Sequence, residues 1–125
     1  MKGPIRRLPD AELEVMQAVW RFEPPVPRAA VEQAVGETRP MAQTTLLTLL
    51  SRLAEKGFLR AEKQGRGSVY TPLVSRSDYQ AAQSKRFVET LFGGSMSAFA
   101  SALCDSGLTR EELDELRRLL ERDEP

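Results

Sequence analysis

Residues 42–73 read AQTTLLTLLSRLAEKGFLRAEKQGRGSVYTPL. An amphipathic run comes first, and two short runs with partial alternation follow on either side of QGRG. At 100° per residue, Leu46, Leu49, Leu50 and Leu53 share one face, which predicts a helix from about Ala42 to Lys56 with this stripe turned to the core. Gly57 is placed to close it as a C-terminal cap. FLRAEK and SVYTPL then read as a β-hairpin, with Gly65 and Gly67 permitting a tight exposed tip at Arg66.

Upstream, Leu13, Met16, Val19 and Trp20 recur at helical spacing, so a first helix is expected from about Asp10 to Phe22. In LPDAEL, Leu8 and Leu13 have the spacing of a hydrophobic staple and Glu12 sits at the capping-box position, although Pro9 supplies no capping oxygen. EPPVP stops this helix, and Pro27 suits the start of the next, RAAVEQAVG, expected to end at Gly36. ETRP reads as a connector. Helix, helix, helix, hairpin is the order of a winged helix. Downstream, Ser75 with Asp78 and Thr109 with Glu112 mark two further helix starts, and Gly93-Gly94 break the intervening helix. The expected fold is mainly α with a small β-hairpin: an N-terminal winged-helix DNA-binding domain over 1–74, then C-terminal dimerisation helices over 75–125.

Composition excludes several kinds of protein. The 125 residues fit one domain, or one small domain with an appendage, and 41% hydrophobic content is ordinary for a soluble chain. No apolar run approaches the roughly 18 residues of a membrane span, and MKGPIRRLPD has no apolar segment after its basic residues. A cytoplasmic protein without direct membrane insertion is expected. There is one cysteine, Cys104, and no histidine. That removes most zinc sites and imidazole-based catalysis, so no metal and no cofactor are expected. The 18 carboxylates include no pair flanked by a pocket-forming glycine loop or a candidate nucleophile, which argues against an enzyme.

A formal charge of zero argues at first against nucleic acid, because affinity for DNA comes largely from Lys and Arg displacing counterions from phosphates. The average hides a split. Residues 1–74 carry eleven basic against eight acidic side chains, and residues 75–125 carry seven against ten. Within the basic half, Thr44, Thr48, Ser51 and Glu55 lie opposite the leucine stripe of the third helix. Leu47 flanks them on one side, and Thr45 with Arg52 on the other. Small hydroxyl residues let a helix enter a major groove about 12 Å wide. The plainer reading is an ordinary surface helix, for which three threonines are an odd choice because β-branched residues lower helix propensity. Gln43, Thr44, Thr45, Leu47, Thr48 and Arg52 are therefore the candidates for groove contact. Arg60, Lys63 and Arg66 on the hairpin are candidates for phosphates or a narrow minor groove, against the plainer reading of a solvated turn.

LPDAELEVMQAVW, MAQTTLLTLLSRLAEKGFL, GRGSVYTPLVSRSDY and LFGGSMSAF, in that order and spacing, resemble the penicillinase repressor family, the BlaI/MecI/CopY group of bacterial transcriptional repressors. The resemblance runs from about Leu8 to Leu120. It implies an N-terminal winged helix, a C-terminal all-helical dimerisation region, binding to a palindromic operator, and repression of genes for antibiotic resistance or metal handling. In the antibiotic-responsive branch it further implies a membrane sensor with a metalloprotease domain, which triggers cleavage in the dimerisation region. Two departures stand out. The copper-responsive branch carries a cysteine cluster near its C-terminus where this chain has Cys104 alone, which argues against direct metal sensing. The scissile bond of the antibiotic branch follows an Asn that precedes Phe, whereas here the corresponding pair is Ala98-Phe99.

The C-terminal half points to a dimer on its own. About fifty residues rarely enclose a core of their own, yet Phe87, Val88, Leu91, Phe92, Met96, Phe99, Leu103, Leu113, Leu116, Leu119 and Leu120 form a large apolar set. A partner chain is the simplest place to bury it; the alternative is packing against the winged helix of the same chain. Cys104 reads as a small hydrophobe within this set. The function expected is that of a homodimeric, sequence-specific repressor on double-stranded operator DNA. The alternative is a winged-helix protein-interaction module whose binding depends little on salt.

Overall fold

A computed structural model of the protein describes residues 5–122. In chain order these form α1 (Asp10–Val19), β1 (Val26–Pro27), α2 (Arg28–Thr38), α3 (Gln43–Glu55), β2 (Leu59–Gln64), β3 (Gly67–Pro72), α4 (Arg76–Phe92), α5 (Met96–Asp105) and α6 (Arg110–Glu121). Two compact units result, residues 1–83 and 84–125.

The first unit is a winged helix. Its core takes Val15, Met16 and Val19 from α1, Val31 and Val35 from α2, and Leu46, Leu49, Leu50 and Leu53 from α3, all buried. α1 ends at Val19, three residues short of the expected Phe22, because the chain turns there toward the prolines. Trp20 is held at that turn, its Nε1–H donating to the Val74 carbonyl at 3.0 Å. α2 runs past Gly36 to Thr38, so this glycine is an interior residue and not a cap. α3 closes as its sequence predicts. Gly57 has φ +84°, the Phe58 N–H reaches the Leu53 carbonyl at 2.9 Å and the Gly57 N–H reaches Ala54 at 3.1 Å, a Schellman arrangement that buries Phe58 beneath the helix end.

The sheet has three strands in the order β1-β3-β2, all antiparallel. Register in the hairpin runs from Leu59 opposite Pro72 to Gln64 opposite Gly67, so the tip is only Gly65 and Arg66. Gly65 takes φ +62° at the first of these positions, which a II′-type turn reserves for glycine. β1 was not expected: Val26 pairs with Tyr70 and Pro27 with Val69. A proline cannot donate to a ladder, but an edge strand tolerates it.

The start of α4 belongs to this unit. Tyr79 packs its ring against Trp20 (5.8 Å between centroids) and Phe58 (5.9 Å), and its hydroxyl accepts the Leu8 N–H at 2.9 Å. The second unit holds the end of α4 with α5 and α6. Gly93 and Gly94, at φ +60° and +83°, separate α4 from α5. The Thr109–Glu112 capping box is complete in both directions, at 3.1 and 2.9 Å. Among the described residues no single helix is long and apolar enough to cross a membrane.

Candidate nucleic-acid interface

α3 divides cleanly between two environments. Its four leucines are no more than 6% exposed, whereas Gln43, Thr44, Thr45, Thr48, Ser51 and Arg52 are all exposed and Leu47 is half-buried at the edge of the stripe. Core packing thus fixes which face α3 shows to solvent, and that face carries the groove candidates. Ala42 at the N-cap brings no side chain to the first-turn amides, so the helix start is open to an external acceptor. Thr48 is tied to its own backbone, its hydroxyl donating to the Thr44 carbonyl at 3.0 Å. Arg52 has no ion-pair partner among the described residues.

The hairpin candidates are all exposed but differ in setting. Arg66 stands at the two-residue tip, and neither it nor Lys63 has an acidic partner among the described residues. Arg60 lies 3.7 Å from Glu62, two residues along on the same face of β2, which offsets part of its charge. Strand alternation places Arg60 and Lys63 on opposite faces of the wing. The sequence reading passed over Arg39, which it took as part of a connector. Arg39 is exposed at the C-cap of α2, lacks an ion-pair partner among the described residues, and leads into the start of α3. A cation three residues before the expected start of the third helix was the signal available.

The penicillinase repressor family model matches residues 8–122, nearly the whole chain. The chain belongs to the penicillinase repressor family. It is similar to the penicillinase repressor of Bacillus licheniformis, with 34% identity over 118 residues covering 94% of this chain and 91% of that protein. The methicillin resistance regulatory protein MecI of Staphylococcus aureus is 28% identical over 121 residues, 96% of this chain and 98% of the relative. Solved structures that resemble it include two of BlaI. One is the monomeric form of B. licheniformis BlaI in complex with the blaP half-operator, at 39% identity and TM-score 0.51, covering 60% of this chain and 90% of the other. The second is the DNA-binding domain of the repressor BlaI, at 38% identity and TM-score 0.53, covering 63% and 94%.

In this member of the penicillinase repressor family the apolar set of the second unit finds no core of its own. Among the described residues neither α5 nor α6 buries a side chain, and α4 buries only Tyr79, which lies in the first unit. Phe87, Phe92 and Phe99 meet edge to face with centroids 5.5 to 6.2 Å apart. Phe87, Leu91, Met96, Leu119 and Leu120 remain 48 to 76% exposed. Val88, Leu103, Leu113 and Leu116 are half-buried. Cys104 is exposed on α5 and does not pack as a small hydrophobe within a single chain. Ala98 is exposed in the first turn of α5, where its N–H donates to the Ser95 hydroxyl at 3.0 Å.

Proposed function

We propose that the protein is a sequence-specific transcriptional repressor that binds a palindromic operator as a homodimer. The observation that carries the reading is the exposed face of α3: threonines and an arginine with no ion-pair partner among the described residues lie outward while four leucines lock the helix from behind. In support, a structure similar to this chain is that of a BlaI monomer on a half-operator. α3 then enters the major groove with Gln43, Thr44, Thr45, Leu47, Thr48 and Arg52, and Arg60, Lys63 and Arg66 meet the backbone or minor groove. Dimerisation through the exposed apolar residues of α4, α5 and α6 doubles the positive charge of each winged helix and sets two recognition helices on one duplex. Such a protein works in the cytoplasm and is not an enzyme.

Relief by proteolysis, under the control of a membrane sensor system, belongs to the same proposal. A cut between Ala98 and Phe99 would sever Phe99 from the aromatic cluster that it shares with Phe87 and Phe92. It requires the first turn of α5 to open, since the bond lies within a capped helix.

A shift assay on genomic fragments at two salt concentrations tests the reading against an interaction module. Retention of a subset of fragments that weakens steeply with salt supports it. Absence of retention at low salt overturns it.

A further inference from the structure

Three threonines stand on the exposed face of α3, and the structure treats them differently. Thr44 and Thr45 have hydroxyls with no protein partner among the described residues, free to bond a base edge or phosphate. The Thr48 hydroxyl already donates to the Thr44 carbonyl one turn back. This bond selects one of the two side-chain rotamers that threonine adopts in a helix and turns the oxygen in toward the backbone. With its one proton committed there, the Thr48 hydroxyl has none to give a base, and the group that Thr48 adds to the exposed face is its Cγ2 methyl. By helical spacing Thr48 lies between Thr44 and Arg52 near the centre of the exposed face, with Ser51 beside it. An apolar group at that point matches the one methyl group that a major-groove edge presents, on C5 of thymine.

Resting on the operator-binding reading, we propose that Thr48 is a specificity-determining residue that recognises a thymine C5-methyl through its own methyl, not through its hydroxyl. The polar readers on either side, Thr44 and Arg52, supply hydrogen bonds at neighbouring positions. Thr48 supplies the apolar contact between them.

Deoxyuridine pairs as thymidine does and lacks only the methyl, so it isolates this contact. Fluorescence anisotropy with the full chain, on duplexes carrying single thymine-to-uracil replacements in the DNA that it retains, should find a thymine in each half-site whose replacement weakens binding about fourfold, the factor for one methyl-sized apolar contact. Thr48→Val keeps the methyl and loses the hydroxyl; it should keep the parent's sensitivity to uracil at that position. Thr48→Ser keeps the hydroxyl and loses the methyl; it should bind about fourfold more weakly and show no further loss at that uracil. Circular dichroism confirms that both variants fold. Tight binding by Thr48→Ser with loss in Thr48→Val would overturn the proposal, as would equal uracil sensitivity at every thymine in all three proteins. If the parent protein itself retained no DNA, the repressor reading would fall with it, an outcome that the parent's own titration separates from the other two.

Discussion

Glu12 of α1 forms an ion pair with Lys56, the residue that caps α3, and the carboxylate is almost wholly withdrawn from solvent. The Glu12 side chain is 4% exposed and that of Lys56 is 23%. Their contact ties the start of one helix to the end of another, 44 residues on, and so helps set the attitude of α3. Removing one partner leaves a buried charge uncompensated. Lys56→Met is expected to destabilise the protein by about 2 to 4 kcal/mol, somewhat below the range for a fully buried pair because Lys56 keeps some water. Glu12→Gln should cost less, since it removes the buried charge and keeps a hydrogen-bonding group. Urea unfolding of both variants checks this; losses below about 1 kcal/mol in each would show the pair to be as weak as a surface ion pair.

Arg52 is exposed on α3 and has no ion-pair partner among the described residues, so its loss should leave the fold intact. Arg52→Ala is expected to weaken operator binding by about 1 to 3 kcal/mol, and Thr44→Ala to cost less while changing base preference. Titration against the operator and against single-base variants measures both effects. Parent affinity and selectivity in the two variants would remove α3 from the groove.

Arg66 at the tip of the wing is expected to contact phosphate or minor groove without reading bases in the major groove. Arg66→Ala should weaken binding to all sequences alike and lower the slope of log affinity against log salt by about one unit. An unchanged slope would make Arg66 a solvated turn residue.

Much of the fold was legible because its signals are local. The leucine stripe of α3, the Gly57 cap, the Gly65-Arg66 tip and the Thr109–Glu112 box each need only residues within a turn or two of one another. What escaped depended on distant partners. β1 is two residues long, too short to show alternation, and its Pro27 marks a helix start as readily as an edge strand. Gly36 looked like a helix end, yet the helix continues because nothing at the following residues breaks it. Glu12 had the spacing of a capping residue, but Pro9 offered it no exchange and Lys56, invisible to any local pattern, took its charge. Of the candidate interface, periodicity identified the exposed face of α3; it had no means of showing that the Thr48 hydroxyl proton is committed to the Thr44 carbonyl.

Leu91 and Met96, in the unit that holds the Phe87–Phe92–Phe99 cluster, are each 62% exposed among the described residues. The double variant Leu91→Glu, Met96→Glu should therefore keep its winged helix but sediment as a monomer. Binding to the full operator should fall by about two to four orders of magnitude, because the second half-site is no longer met at high effective concentration. A variant that stayed dimeric would place the dimer contact elsewhere.

The most direct test of a dimeric operator-binding repressor is to sequence the DNA that the purified full chain retains from a random or genomic pool. An enriched inverted repeat is expected, with half-site centres about one helical turn, or a multiple of it, apart on one face of the duplex. Retained DNA with no common sequence, or a single unrepeated site bound as tightly as any pair, would contradict it.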